Sequence, residues 1–409
     1  MPTLAVEIAF SAGANPSAWS LGNSPFPTTL AEPLLDIWTD VTADVRGINI
    51  ERGKSRELDM FRAARCSVVL DNRSRDYDPI NLSGPYVDGG VTQVKPGRRM
   101  RVRATHPTTL VEYDQFMGVI RDWSLDYTGP FDARATPQAT DFLGDLALGD
   151  VAITTTAGLS GAVIEELLQE GGLSAYQLDD GDVSMQAMTY DTDLLAAVQN
   201  IVRSEQGYFY VENDGTITFI ERTGPVALTR SNTSNGTFGA GNLNYQDIKI
   251  AYESDILKND AHFTRTGGTE QTYTDTDSVL AYGKHSETFT GLANESDADA
   301  LYLATGYVGK WGEPQYRIRS ITVAGRYHAD TMTQVLARRL LDRITVNFTP
   351  VGGGSPISQD AMVIGIKHTI SAMVMVTTFT LAHVLPYGWM LGVGELGDTT
   401  GLTTTALAF

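Results

Sequence analysis

The chain has 409 residues but a single cysteine, so it cannot form an internal disulfide, and a cytosolic site of synthesis fits. No apolar run reaches the roughly 18–20 residues that a membrane-spanning helix needs. The first ten residues lack the basic and apolar regions of a secretory signal and alternate like a strand. The one cysteine, Cys66, begins a hydrophobic run, so we predict that its thiol is buried as a small apolar group.

Basic residues are also scarce. Thirty Lys and Arg stand against 49 Asp and Glu, and the net charge of −19 argues against nucleic-acid binding through a basic face. The same charge suits solubility, and it would also suit a surface that DNA passes without binding.

Catalytic motifs are missing as well. The six histidines form no pair at metal-ligand spacing, and neither a nucleophile elbow nor a phosphate-binding loop occurs. The many carboxylates leave a glycosidase pair open, and Asp275 and Asp277 leave a calcium site open. We nevertheless predict a protein that is not an enzyme, with no catalytic residue, no cofactor and no metal site.

The residues that are abundant favour β structure. Forty glycines and many Thr, Val and Tyr predict strands with frequent turns, and the length predicts two to four domains. We predict an all-β domain at 1–134, a small α+β insert at 135–225 and a linker at 226–246. A second β domain with two helices follows at 247–386, and residues 387–409 form a C-terminal arm.

The helices and turns are predicted from apolar spacing and caps. Residues 161–170 and 191–202 have helical periodicity, the second with Asp191 as its N-cap. The sequence around Asn213-Asp214-Gly215 predicts a hairpin. Helices are also expected at 297–308 and at 330–341, the latter capped by Asp330.

Two arginine-containing segments supply the candidate interface residues. A polar loop follows the strand that ends at Leu70, and we expect Asx turns and Arg–Asp pairs to hold it. Further along, period-two alternation places three arginines on one strand face, which we interpret as facing protein or solvent, because no aromatic residue flanks them in sequence. The interface candidates are Arg73, Arg75, Asp76, Asp78, Arg99, Arg101 and Arg103.

The loop and the segments after it resemble the minor tail proteins of long-tailed bacteriophages, specifically the tail-hub group. Each matching piece is short, but their number and order along the chain make the resemblance specific. The pieces are Trp38-Thr39-Asp40-Val41-Thr42, Leu70-Asp71-Asn72-Arg73, Tyr77-Asp78-Pro79, Gly84-Pro85-Tyr86, Pro96-Gly97-Arg98, Phe116-x-Gly118-x-Ile120-x-x-Trp123, the helix and hairpin at 191–220, and Ile364-Gly365-Ile366-x-His368.

The resemblance implies a mainly β fold in which two β-barrel-like tail-hub domains flank the small α+β domain. It implies a homotrimer, with a hexamer as the alternative, whose ring joins the tail tube to the tip. The implied partners are the distal tail protein, the tape measure protein and other tail-tip proteins, while DNA passes through the lumen without specific binding. The implied location is the tail tip of a virion assembled from protein made in the host cytoplasm.

Three other functions remain open from the sequence. The chain could be the neighbouring distal tail protein, which forms a hexamer of the same general β type. It could be a tail-associated enzyme that degrades the cell wall, although no motif favours this. It could also be a carbohydrate-binding adhesin, which binding to labelled host cells would detect.

Overall fold

The first part of the chain is built almost entirely of strands. The computed structural model describes residues 2–10, 37–129, 131–325, 329–371 and 374–384. A short 3₁₀ helix at Thr42–Asp44 precedes the third strand. The strands are β1 (Thr3–Ile8), β2 (Thr39–Asp40), β3 (Val45–Gly53), β4 (Arg62–Asp71), β5 (Val87–Asp88), β6 (Val91–Thr92), β7 (Arg99–Thr105), β8 (Glu112–Thr128) and β9 (Asp132–Thr140).

Helices and short strands alternate in the next segment, which packs around its own apolar core. The elements are α1 (Leu143–Leu146), β10 (Asp150–Thr154), β11 (Gly158–Leu159), α2 (Ser160–Glu170), β12 (Tyr176–Leu178), β13 (Ser184–Met185), β14 (Thr189–Asp193), α3 (Leu194–Glu205), β15 (Tyr208–Val211) and β16 (Ile217–Ile220). The predicted hairpin is confirmed, because β15 and β16 pair antiparallel around the predicted turn.

The remainder of the chain returns to long strands. Its elements are α4 (Gly224–Ala227), α5 (Thr229–Asn232), β17 (Ser234–Phe238), β18 (Asp247–Tyr252), β19 (Asp260–Arg265), β20 (Gln271–Thr274), α6 (Thr276–Tyr282), β21 (Ser286–Leu292), α7 (Asp297–Trp311), β22 (Tyr316–Ala324), α8 (Ala329–Ala337), β23 (Arg343–Phe348), β24 (Ile357–Ser371) and β25 (Met375–His383). The segment 226–246, predicted as a linker, contributes β17, which pairs with β23. The predicted arm at 387–409 lies outside the described residues.

Among the described residues, one 13-stranded sheet contains both the first strand, β1, and the last, β25. Its main path runs β18-β22-β25-β24-β3-β4-β9-β8-β7-β1-β2, and β23 and β17 extend it beside β24. The two halves meet where β24 pairs antiparallel with β3, with Ile370 opposite Ile48. The fold is therefore mainly β, as predicted, but in the part of the chain that the structure describes the sheet is open and closes into no barrel.

Two long strands have the same unusual arrangement in the two halves. The strand β8 pairs with β7 along its first part and with β9 along its second, and the register shifts between Ile120 and Asp122. The strand β24 pairs with β23 along its first part and with β3 along its second, and its register against β25 shifts between Val363 and Gly365. Bulges of this kind bend a strand, so each long strand can serve two parts of a curved sheet.

Two predicted helix starts differ from the structure. Asp191 lies in β14, and the N-cap of α3 is Asp193, whose carboxylate accepts a hydrogen bond from the Ala196 amide at 2.8 Å. The prediction was wrong because β14 pairs with β10 as far as Asp193, which delays the helix. Asp330 lies inside the first turn of α8 rather than capping it, and α8 ends at Ala337, before the predicted end at 341.

In the part of the chain that the structure describes, the interior contains three apolar clusters. The largest lies on one face of the big sheet and includes Cys66, which is 2% exposed, so the predicted burial of its thiol is confirmed. A second cluster fills the insert, and a third packs β19 and β21 against α7. Burial also raises the pKa of the Cys66 thiol, so it stays protonated. No helix among the described residues is long and apolar enough to cross a membrane.

Candidate functional site

The loop at 72–86 is held against the main core although it has no regular secondary structure. Asn72 is fully buried, and its side-chain oxygen accepts a hydrogen bond from the Tyr77 amide at 2.9 Å. The buried Tyr77 donates its hydroxyl to Asp44 at 2.6 Å. Tyr86 stacks on Phe10 with ring centroids 3.9 Å apart. These contacts fix both ends and the middle of the loop. The predicted Asx turns are also present, because the side chains of Asp71, Asp78 and Asn81 each accept a hydrogen bond from the amide two residues further along the chain.

Asp78 is the central acceptor of this loop. It is 3% exposed, and its carboxylate accepts hydrogen bonds from the Ile80 amide, the Arg75 guanidinium and the Tyr127 hydroxyl. Burial alone would raise the pKa of Asp78, but the bonds from Arg75, Ile80 and Tyr127 outweigh it and hold the pKa below its usual value. The carboxylate therefore stays ionised and joins the loop to the end of β8.

The other charged residues of the loop are paired within the chain. Arg73 binds Asp71 at 2.6 Å, and Arg46 binds the same carboxylate at 2.9 Å. Hydrogen bonds from Arg73 and Arg46 hold the pKa of Asp71 well below its usual value. Asp76 accepts a hydrogen bond from the Ser74 hydroxyl at 2.6 Å. The predicted Arg–Asp pairs are present, and their role at an interface remains a prediction.

The three arginines of β7 share one strand face, as predicted from the alternation. Arg101 and Arg103 both bind Glu7 on the neighbouring strand β1, each at 2.7 Å. Arg99 lies over the ring of Phe142. The structure also places Trp38 on the guanidinium of Arg101, 4.3 Å from the ring centroid, an aromatic contact that sequence proximity did not show. The charges of these three arginines are largely neutralised inside the chain, which favours the interpretation of a strand face that contacts protein or solvent.

A set of apolar side chains near the loop was missed by the sequence analysis. Ile80 is 80% exposed and Leu82 is 61% exposed, while Tyr127 and Phe131 at the β8–β9 hairpin are 55% and 87% exposed. Single apolar residues in polar loops carry no periodic signal, so only the folded arrangement shows that they lie near one another.

A polar cluster on the small sheet of β19, β20 and β21 was also missed. The fully buried carboxylate of Asp260 binds His262, Lys284 and the hydroxyls of Thr274 and Ser286. His262 also contacts Glu270 at 3.2 Å. Hydrogen bonds to Asp260 and Glu270 raise the pKa of His262. The alternation of polar residues on β19 could have indicated one shared face, but not the pairing with Lys284.

Asp275, one of the two residues weighed as calcium ligands, has a structural role. Its carboxylate caps α6 by accepting hydrogen bonds from the amides of Asp277 and Ser278 at 3.1 and 3.0 Å. No group of three or more metal-ligating side chains with suitable geometry occurs among the described residues.

We expect the replacement of Asp78 by alanine to loosen the loop. The change leaves the Ile80 amide and the Tyr127 hydroxyl without their acceptor and should lower the free energy of unfolding by about 1–3 kcal/mol. Amide hydrogen exchange across 75–82 should become faster. Asp76→Ala is the matched control, because Asp76 bonds mainly to its neighbour Ser74, and it should change exchange little. Equal protection in both variants would show that Asp78 does not hold the loop.

Two solved tail proteins share this fold. The tail protein from Neisseria meningitidis MC58 superposes with a TM-score of 0.59 and 12% identity, over 93% of this chain and 96% of that one. The 43 kDa tail protein of prophage MuSo2 from Shewanella oneidensis superposes with a TM-score of 0.57 and 10% identity, over 94% and 97%. No protein-family model matches the chain, and no curated protein matches it in sequence. The predicted resemblance to phage tail proteins is thus confirmed at the level of the fold.

Proposed function

We propose that the chain is a structural component of a bacteriophage tail tip. In this role it is a tail-hub subunit whose copies form a ring that joins the tail tube to the tip and lets DNA pass. The observation that carries the proposal is the shared fold, because it extends over 93% and 94% of this chain and nearly all of two tail proteins. The role is structural and includes no catalytic step.

The sheet offers a basis for ring formation. Its two halves, joined at β3 and β24, each contain one long bulged strand, so one subunit can supply two similar lobes. Three copies would then place six lobes around an axis. Among the described residues β18 has a strand partner on one side only, and β2 ends the sheet at the opposite edge. Exposed edges of this kind are ready to pair with a neighbouring chain.

The distribution of charge supports passage of DNA without binding. Residues 135–225 contain fifteen Asp and Glu but two Arg and no Lys, so this segment carries 13 of the 19 net negative charges. An acidic wall repels the phosphate backbone and keeps it from adhering. We propose that acidic residues outnumber basic ones on the inner wall of the ring. A basic or neutral wall in a reconstruction of the ring would contradict this.

The neighbours in this proposal are the distal tail protein, the tape measure protein and other tail-tip proteins. The insert at 135–225 and the arm at 387–409 are proposed to contact them, and the protein is proposed to reside at the tail tip of the virion after synthesis in the host cytoplasm. The four charged loop residues and the three arginines of β7 remain interface candidates.

The native mass of the purified protein tests the ring. We expect a mass of three copies, because two lobes in each subunit complete a sixfold arrangement with three chains. Native mass spectrometry at several protein concentrations measures this directly. A mass of six copies would favour the distal tail protein instead, and a monomer at every concentration would contradict the ring.

A further inference from the structure

Two parts of the chain fold as inserts beside the large sheet. The first insert comprises residues 135–225, and the second comprises residues 253–315, between β18 and β22. Each contributes most of the residues of one apolar cluster. Along the chain the inserts are separated by β17 and β18, which belong to the large sheet. Any coupling between the inserts therefore depends on contacts that form only in the folded protein.

Residues 291–295, which we call the strap, form the boundary between the two apolar clusters. Leu292 belongs to the cluster of the second insert, whereas Ala293 belongs to the cluster of the first insert. Both side chains are fully buried. Successive residues of an extended segment point to opposite sides, so one short segment can contribute to two cores. The strap thus packs into both inserts at once.

The backbone of the strap bonds to the backbone of the first insert. The Gln186 amide donates to the Ala293 carbonyl at 2.8 Å, and the Glu295 amide donates to the Ser184 carbonyl at 3.0 Å. These bonds form a short antiparallel bridge between the two segments. Each insert therefore satisfies part of the hydrogen bonding of the other.

The end of α3 also depends on the strap. Ser204 is fully buried in the last turn of this helix, and its hydroxyl accepts a hydrogen bond from the Ala293 amide at 2.8 Å. The side chain of Asn294, which is also fully buried, donates to the Ser204 carbonyl at 3.0 Å. Carbonyls in the last turn of a helix have no partner within the helix. Loss of either bond would leave a buried polar group unpaired, which is costly.

Electrostatic repulsion opposes the contact between the inserts. The first insert carries a net charge of −13, and the second carries −7, from eleven Asp and Glu against four Lys and Arg. The strap bonds described here join uncharged groups, so they hold two acidic bodies together without charge attraction. Salt screens such repulsion, because the Debye length is about 30 Å at 0.01 M and about 10 Å at 0.1 M ionic strength.

We propose that the strap couples the two inserts into one cooperative unit, so that opening of one insert accompanies opening of the other. Cooperative units of a protein are contiguous regions that share buried contacts, and the strap supplies such contacts to both inserts. Coupling of this kind is reciprocal, so a partner that binds either insert stabilises both. Extending the contact with neighbouring tail proteins to the second insert rests on the proposed function, whereas the coupling itself does not.

Ala304→Gly tests the coupling away from the strap. Ala304 is fully buried in α7, and glycine weakens the interior of a helix. Amide exchange in the second insert should therefore become about fivefold faster. Because the inserts open together, the most protected amides of α3 should accelerate by a similar factor in native-state hydrogen exchange of the full chain. Unchanged exchange in α3 would overturn the proposal.

Asn294→Ala tests whether the strap carries the coupling. This variant should speed exchange in α3 about tenfold, and by more at 0.01 M salt than at 0.1 M. Adding Ala304→Gly should then affect the second insert alone. Ser204→Ala removes the other buried bond with a smaller change of side chain and should give the same result.

Gln186→Ala is the matched control for the strap variants. The Gln186 side chain donates to the Thr266 carbonyl across the same boundary, but at the surface, so its loss should leave the coupling intact. An effect of Ala304→Gly on α3 that persists in both strap variants would overturn the role of the strap. A protein that forms no ring but shows the coupled exchange would contradict the ring alone.

Discussion

Replacing Arg317 by methionine is expected to lower the free energy of unfolding by about 3–5 kcal/mol. Arg317 lies in β22 and is 5% exposed, and its Nη1 donates to Glu57 in the β3–β4 turn at 2.6 Å. The side chain of Glu57 is 2% exposed. Without Arg317 this carboxylate would be buried and without its cation, which is the costly state of a broken buried ion pair.

The position of this pair explains why the effect should extend across the molecule. Glu57 belongs to the first half of the large sheet and Arg317 to the second, so the pair links segments 260 residues apart. Arg317 also donates from Nη2 to Glu253 at 2.6 Å. Urea unfolding of wild type and variant, followed by circular dichroism, measures the change in the free energy of unfolding. In hydrogen exchange, the amides in the first half of the large sheet should lose protection together with those in the second half.

Two further variants separate the buried pair from general effects of removing an arginine. Arg319→Met is the matched control, because Arg319 is 45% exposed and binds Glu253 at 3.3 Å, so its loss should cost less than about 1 kcal/mol. Adding Glu57→Leu to Arg317→Met should recover much of the lost stability, because the uncompensated carboxylate is then removed. Similar small losses in Arg317→Met and Arg319→Met would mean that the buried pair contributes little.

Local patterns in the sequence predicted single helices and strands better than they predicted which strands pair with each other. Period-two alternation identified β7, and the spacing of apolar residues identified α2 and α3, because these signals depend on which face of one element is buried. Alternation does not identify the strand that lies alongside. The pairing of β24 with β3 therefore could not be derived, and neither could the continuous sheet that it forms.

The candidate site was likewise predicted only in part, because the sequence indicates contacts between residues that are close together in the chain and not contacts between distant segments. Arg–Asp pairing inside the 72–86 loop follows from residues two or three positions apart, such as Arg75 and Asp78, and the structure contains it. The hydrogen bond from Tyr127 to Asp78 joins residues 49 positions apart and brings the exposed apolar side chains of the loop and of the β8–β9 hairpin near one another. These side chains carry no pattern in the sequence, because their exposure is decided by where the loop and the hairpin meet.

His368 is expected to make the protein less stable as the pH falls below neutrality. The side chain is 3% exposed in β24, where its Nδ1 contacts the Thr377 hydroxyl at 2.8 Å. Burial, reinforced by the nearby charge of Arg52, lowers the pKa of His368 from 6.5 to about 3. The unfolded chain therefore binds a proton at this residue more readily than the folded chain does between these two pH values.

The sign of the effect follows from this difference. The contribution of neutral His368 is fully present above pH 6.5 and is lost progressively as the pH falls towards 3, by an amount on the order of 4 kcal/mol. His368→Gln can keep the contact with Thr377 but cannot take up the proton. We therefore expect the difference in free energy of unfolding between wild type and this variant to shift in favour of the variant as the pH falls.

His262→Gln is a control, because its effect on stability should depend on pH in the opposite direction. Its pKa is raised by Asp260 and Glu270, so its contribution is present below pH 6.5 and is lost as the pH rises through the raised value. His262→Gln should therefore differ most from wild type at low pH, with the variant less stable. Because His368 lies where β24 pairs with both β3 and β25, acid should first weaken hydrogen-exchange protection at the junction of the two halves. A wild-type-minus-His368→Gln difference that stays constant from pH 7 to pH 4 would show that burial does not suppress protonation there.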